Sequence, residues 1–230
     1  ISESGTADAF EVMFGERAIP NYHFEKAHTI VSFGVYFIGD WQGGFEKGYA
    51  ASRNPASGHM SYLVQFEANM SLTGANADKR VVTKPSDQVF ALLNLYNTIT
   101  GASLPSKATP VDAHIKEVAV ALNKSGSHGV VVSGSSDKNA QLIAFAINDA
   151  LQSVVFDAAN PLHIRKGNDT ELAQVVADMK AGKVKGLLTY NVDPVYNLSV
   201  GTEFAEATKK LDLSVAMSIQ NDATANATQY

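Results

Sequence analysis

Apolar residues along this chain fall into short dense runs, separated by longer stretches in which they recur every three or four residues. Thr29 to Phe33, Tyr62 to Phe66, Val130 to Val132, Val154 to Phe156, Leu187 to Tyr190 and Leu213 to Met217 are short, mainly apolar or β-branched runs, the pattern of strands covered on both faces. Between them the spacing is helical. Val89, Leu92, Leu93, Tyr96 and Ile99 form one apolar stripe, Val111, Ile115, Val118 and Leu122 a second, and Leu172, Val175, Val176 and Met179 a third. Ile143, Phe145 and Ile147 leave the segment from Lys138 to Leu151 apolar almost all round, which predicts a deeply placed helix. Local chemistry supports these boundaries: Pro85-Ser86 can open a helix, Asn168 with Glu171 three residues on has the form of a capping box, and Gly182 stands where a left-handed stop is wanted.

Strands alternating with helices predict mostly parallel sheets with right-handed crossovers, hence a doubly wound α/β fold. The stretch Gly101 to Pro110 (GASLPSKATP) interrupts the pattern with two prolines and a glycine. It is read as the boundary between two α/β lobes, residues 1–105 and 106–230, with a surface loop inside one domain as the alternative.

Composition narrows what such a fold can do here. At 230 residues and 45% apolar the chain can bury a substantial core. A net charge of −5, with Lys209-Lys210 as the longest basic run, offers no footprint for nucleic-acid phosphates. There is no cysteine, so within these residues no thiolate can hold an iron–sulfur cluster or a structural zinc. The most apolar windows, such as Leu142 to Ile147, fall far short of the roughly 20 residues needed to span a bilayer, so this portion is expected to be soluble. The first residue is not Met and the last ten, NDATANATQY, read as the start of an unfinished element, so a fragment of a longer protein is expected.

Ligands of α/β folds bind at the carboxyl ends of the strands, which directs attention to four loops. Ser133-Gly134-Ser135-Ser136 lies between a strand and a helix and could present backbone N–H groups to an anion, although it carries neither phosphate-binding glycine pattern; a tight turn capped by Ser136 or Asp137 is the structural alternative. Asn191-Val192-Asp193-Pro194 has turn chemistry. The loop from Gly34 to Gly44 carries Asp40 and the sole tryptophan, Trp41, which reads as a partner contact or equally as a core or lid residue, and the polar loop from Gly74 to Arg80 reads as solvated. No nucleophile elbow of the G-x-S-x-G type occurs. The six histidines (His23, His28, His59, His114, His128, His163) lack metal-ligand spacing and read mostly as surface or loop residues.

Three segments, Ile19 to Trp41, Phe66 to Arg80 and Ala181 to Asn197, together resemble the molybdopterin-oxidoreductase superfamily. They are most similar to the non-catalytic molybdopterin-like half of the iron–sulfur subunit of alternative complex III, a bacterial membrane quinol:electron-acceptor oxidoreductase. The resemblance runs from about Ala18 to the C-terminus. It implies Rossmann-like lobes of the type found in domains 2 and 3 of formate dehydrogenase and DMSO reductase.

The family's Gly-x-Asn-Pro turn corresponds here to Gly34-Val35-Tyr36-Phe37 and Asn191-Val192-Asp193-Pro194, its acidic-Pro-Arg to Glu67-Ala68-Asn69, and its Pro-Gly-Thr-Asp to Pro85-Ser86-Asp87-Gln88. The resemblance therefore implies a degenerate cofactor site made of Gly34, Tyr36, Glu67, Asn69, Asp87, Ser133, Gly134, Ser135, Asn191 and Asp193. Losing several charge-assisted or buried contacts at about 1–3 kcal/mol each would weaken cofactor binding by orders of magnitude. The expectation is a domain with no catalytic residue, no metal and no cofactor of its own, with iron–sulfur clusters elsewhere in the full-length protein. Its implied partners are membrane quinol-binding and cytochrome subunits at the periplasmic face of the inner membrane, with Phe37, Asp40 and Trp41 as candidate contacts and no direct membrane insertion. Two alternatives stand beside this reading: a domain of a genuine molybdopterin guanine dinucleotide enzyme, and a Rossmann-like nucleotide or small-ligand module using Ser133 to Ser136.

Overall fold

The computed structural model describes residues 2–39, 41 and 44–230. Helix α1 (Ser4–Phe14) leads into β1 (Ile19–Tyr22) and β2 (Thr29–Phe33), followed by α2 (Phe45–Ser52), β3 (Tyr62–Glu67), α3 (Leu72–Ala75) and β4 (Lys79–Val82). Next come α4 (Pro85–Thr100), α5 (Asp112–Ser125), β5 (Gly129–Ser133), α6 (Lys138–Ala150) and β6 (Phe156–Leu162). The last part holds α7 (Asp169–Lys180), β7 (Gly186–Tyr190), α8 (Pro194–Asn197), α9 (Gly201–Thr208), β8 (Leu213–Met217) and α10 (Ala223–Ala227). Two compact units result, one ending at Gly167 and the other beginning at Asn168. The expected boundary at Gly101 to Pro110 is instead the α4–α5 connection within the first unit, because β5 returns from beyond it to pair with β2 in full register, Thr29 opposite Gly129 through Phe33 opposite Ser133.

The first unit is built on a four-stranded parallel sheet of order β4-β3-β2-β5. Alternation along each strand divides its side chains between two cores. Val31, Phe33, Val64, Phe66 and Val131 face α4, α5 and α6. Ile30, Leu63, Val130 and Val132 face an aromatic cluster around Phe24, Phe37, Phe45 and Tyr49. Both faces are thus covered, as the uninterrupted apolar runs require. Helix α6 has α4, α1 and β5 as neighbours, in keeping with its apolar circumference.

The sheet ends at β5 because side chains seal its outer edge. Asn148 Oδ1 accepts from Val131 N at 2.8 Å while Asn148 Nδ2 donates to Val131 O at 2.8 Å, so one amide replaces a neighbouring strand. Ser153 Oγ donates to Gly129 O at 2.6 Å and Gln141 Nε2 to Ser133 O at 2.9 Å. With those carbonyls satisfied, the run Val154 to Phe156 does not become a fifth parallel strand as expected. Instead β6 begins at Phe156 and pairs antiparallel with β1, Tyr22 opposite Phe156 and Ile19 opposite Leu162. Neither β1, β4 nor α1 was marked by an apolar run of its own.

The second unit contains a two-stranded parallel sheet, β7-β8, paired from Gly186–Leu213 to Tyr190–Met217. Val176 and Met179 of α7 and Phe204 and Ala207 of α9 form its core with Leu187. Asn168 Oδ1 accepts from Thr170 N and Glu171 N at 3.1 Å each, and Gly182 takes a positive φ of 72°, both as the caps in the sequence require. Among the described residues no helix is long and apolar enough to cross a membrane.

Candidate functional site

Taken in chain order, the parallel strands of the first unit lie third, second, first, fourth, so the winding reverses between β2 and β5. That reversal opens a crevice beyond the carboxyl ends of the two strands, the place where such sheets bind ligands. Gly34 N donates to Phe66 O at 2.8 Å and Gly134 N to Phe33 O at 2.9 Å, drawing the two post-strand turns together. A Cβ on Gly134 would lie 2.5 Å from Gly34 O, so glycine is required for this approach. Two hollows flank the contact. One of about 260 Å³ is lined by Pro85, Gln88 and Leu92 with the Ser133–Ser136 turn. The other, of about 550 Å³, is lined by Thr6, Val35, Tyr36, Trp41, Gln141 and Arg165 with the same turn.

The turn does not offer a free anion site. Asp137 Oδ1 accepts from Asn139 N at 2.8 Å and Ala140 N at 3.0 Å, so the exposed N–H groups of the first turn of α6 already hold a carboxylate. Ser135 Oγ accepts from Asp137 N at 3.1 Å, and Gln141 Nε2 donates to Ser135 O at 2.6 Å as well as to Ser133 O. A phosphate brought here would meet a fixed negative charge where the helix would otherwise attract it. Of the two expected capping residues, Asp137 does the capping. Gln141, in the first turn of α6, locks the turn through bonds that reach back six and eight residues, a separation with no local sequence signal.

At the end of β3, Glu67 is buried at 4% exposure and fully engaged. Its carboxylate accepts from Arg80 Nε at 2.6 Å, Ser71 Oγ at 2.6 Å, Ser71 N at 3.1 Å and Gln65 Nε2 at 3.1 Å. Burial pushes its pKa up, but the hydrogen bonds from Ser71, Arg80 and Gln65 outweigh that and hold it below the ordinary value. A Cβ on Gly74 would fall 1.9 Å from Glu67 Oε1, so glycine makes room for the carboxylate. The guanidinium missing from Glu67-Ala68-Asn69 is thus supplied from β4 by Arg80, and is spent on an internal pair. Sequence reading passed over Arg80 because the pair joins adjacent strands. Asn69 is exposed on the following turn, and Asp87 lies half-buried in the first turn of α4. Gln65 Nε2 also donates to Val35 O at 3.0 Å, one residue behind the larger hollow, while Gln65 Oε1 and its cross-strand neighbour Ser32 Oγ are buried without a hydrogen-bond partner.

Asn191 and Asp193 belong to the second unit. Asn191 has a positive φ of 51°. Asp193 Oδ1 accepts from Thr224 Oγ1 at 2.6 Å, Thr224 N at 3.0 Å and Tyr196 N at 3.3 Å, tying the start of α8 to that of α10. These bonds, led by that from Thr224, hold its pKa below the ordinary carboxylate value. Its chemistry is that of a shared cap.

Of the expected partner contacts, Phe37 is wholly buried, its ring centroid 4.7 Å from Phe24 and 5.3 Å from Tyr49. It is a core residue, because the chain after Gly34 turns back across the sheet face. Trp41 is half-buried, with ring centroids 5.5 Å from Tyr22 and 5.4 Å from Phe45, and lines the larger hollow. Asp40 lies outside the described residues.

No family model matches the chain, and no curated protein sequence matches it. Among solved structures, the fold is similar to acetylene hydratase from Pelobacter acetylenicus, with a TM-score of 0.62 at 12% sequence identity. That match covers 98% of this chain and 43% of the other, so the chain spans less than half the length of its structural neighbour. Similarity at this identity is one of fold. The residues at the crevice fit a pterin dinucleotide poorly: a carboxylate caps the helix facing it, and the acidic and guanidinium groups nearby are paired with each other.

Proposed function

We propose that this chain is a non-catalytic, molybdopterin-oxidoreductase-like scaffold domain, belonging to the iron–sulfur subunit of a membrane quinol oxidoreductase of the alternative complex III kind. The observation that carries this reading is the Asp137 carboxylate on the first turn of α6, at the winding reversal where a dinucleotide phosphate would have to sit. The Glu67–Arg80 pair supports it, since both charges are consumed within the fold. Fold similarity to acetylene hydratase supports an architecture of the same kind. The finer assignment to a respiratory complex rests on the sequence resemblance in Ile19 to Trp41, Phe66 to Arg80 and Ala181 to Asn197.

In this role the domain presents surface and holds neighbouring subunits, while electrons pass through clusters carried on other parts of the protein. The test is to purify the full-length protein from its native membrane and assay it for molybdenum, for a fluorescent oxidised pterin and for co-purifying quinol-binding and cytochrome subunits. The expected result is co-purification of those subunits with neither molybdenum nor pterin. Stoichiometric pterin would refute the scaffold reading.

The hollow of about 550 Å³ beside Trp41 and Arg165, with the unpartnered Gln65 amide oxygen behind it, favours a second reading as a small-ligand module. Calorimetric titration with nucleotides separates the two: heat of binding that is lost on Arg165→Ala would replace the first reading with the second.

A further inference from the structure

At the opposite end of the four-stranded sheet, the amino ends of three parallel strands carry a histidine cluster that the crevice does not involve. His28 immediately precedes β2, His128 immediately precedes β5, and His59 lies three residues before β3. The His28 ring has both others as neighbours, with centroids 4.0 Å from His59 and 4.4 Å from His128, and it lies within 15° of parallel to the latter. The backbone closes at the same point. His28 N donates to His128 O at 2.8 Å and Tyr62 N donates to His28 O at 2.8 Å, so the first rungs joining β5 to β2 and β2 to β3 both pass through His28. His128 Nδ1 lies 2.8 Å from Lys26 O, which fixes the proton on that nitrogen and the orientation of the ring.

Such a stack suits neutral imidazoles. A second proton on the cluster would place two like charges about 4 Å apart, with no anion to offset them. Although His28 is exposed, partial desolvation and the two neighbouring rings, His59 and His128, lower its pKa, and no carboxylate counters them. Charges on the surrounding elements are engaged elsewhere or are positive. Glu25 faces His23 at 3.1 Å, Arg53 and Asp78 pair at 2.8 Å, and Lys79 and Glu117 pair at 2.5 Å. Lys26 and Lys124, on the turns that carry His28 and His128, add positive charge.

We propose that His28, His59 and His128 form an acid-sensitive latch on the amino edge of the sheet, closed while the rings are neutral and opened as they take up protons. The latch lies at the far end of the strands from the crevice and does not depend on what the crevice binds.

Hydrogen exchange of the His28 and Tyr62 amides, corrected for intrinsic rates, tests it at about pH 7.5 and about pH 5.5, on either side of the ordinary imidazole range. Protection is expected to fall roughly fivefold for each like-charged pair, the factor for two unit charges about 4 Å apart in water. The Gly134 amide, at the other end of the same sheet, should keep its protection; a parallel fall there would mean global destabilisation and overturn the latch. In His59→Gln, an exposed position, the fall should shrink and the His28 ring should titrate at higher pH by NMR. Should that variant fold poorly, the wild-type NMR titration decides alone: His28 must titrate below the ordinary imidazole value. Equal protection at both pH values, or a His28 midpoint no lower than the ordinary imidazole value, would overturn the proposal.

Discussion

The two parallel sheets of this chain begin from the same kind of sequence and end in different environments. Thr29 to Phe33 and Leu187 to Tyr190 are both short apolar runs, yet all five residues of β2 are buried whereas β7 buries only Thr189 fully. In the first unit, helices cover one face, aromatic side chains cover the other, and Asn148 closes the β5 edge. In the second, α7 and α9 cover the side of Leu187, while Leu188 is 66% and Tyr190 72% exposed on the side away from them. An apolar run states that a strand can be covered on both faces. It does not state that anything covers it. The handedness of crossovers supplies the reason: when the chain advances from β7 to β8 in one direction, right-handed connections place their helices on one face only. In the first unit the winding reverses at β2, so both faces are reached.

The sharpest way to break this contrast is to reopen the sealed edge. Asn148→Leu replaces the amide by an apolar side chain and strips both hydrogen bonds from Val131, leaving a buried N–H and a buried C=O without partners. At about 1–3 kcal/mol for each such group, urea unfolding should show a loss of about 4 kcal/mol. Light scattering should also detect association through the newly unpaired edge. A stability within about 1 kcal/mol of wild type would show that the edge is closed by something other than this amide.

A smaller effect is expected at the Glu67–Arg80 pair. Arg80→Met leaves a carboxylate of 5% side-chain exposure without its cation and should cost about 3 kcal/mol. Because the folded-state pKa of Glu67 is depressed, its contribution is present above the ordinary carboxylate pKa and is lost as pH falls through the lowered folded value. The wild type should therefore lose stability on acidification below its ordinary value of 4.5, and Glu67→Gln should flatten that part of the curve measured by thermal unfolding. An unchanged acid limb in Glu67→Gln would assign the acid sensitivity to other carboxylates.

How much of this could be read beforehand follows the range of the interactions. Apolar periodicity located β2, β3, β5, β7 and β8 to within a residue, because burial on both faces leaves a dense local signal. The caps at Asn168 and Gly182 were legible for the same reason, each being set by a few neighbouring residues. What escaped was set across long separations. Asn148 looks like one polar residue in an apolar helix until it meets Val131, and Val154 to Phe156 looks like another parallel strand until that edge is closed. Strand β4 begins Lys79-Arg80, and those charges, paired with Glu117 and Glu67, hid an edge strand. At the crevice, Gly34 and the Ser133–Ser136 turn lie together beyond strand ends, while Glu67 is the last residue of β3. The sequence could not show that Asp137 and Arg80 would take the charges that a ligand would otherwise meet. Phe37 was expected as a partner contact because its loop is aromatic, but its ring lies within the aromatic core.

The smallest expected effect, that of Leu188→Ala, sharpens the comparison most directly, because it sets one leucine against another. Leu63 on β3 is wholly buried in the first unit, and Leu188 on β7 stands on the open face of the second. Leu63→Ala removes packed methyl groups and leaves a cavity, at a cost of about 2–5 kcal/mol. Leu188→Ala removes groups that touch water in the folded and unfolded states alike, so it should change stability by no more than about 0.5 kcal/mol. Measured by urea unfolding of the whole chain, with hydrogen exchange at β7 and β8 to report on the second unit separately, the two variants should differ by at least about fourfold in their effect. If Leu188→Ala costs as much as Leu63→Ala, the β7 face is covered in solution, and the two sheets share the same two-sided packing after all.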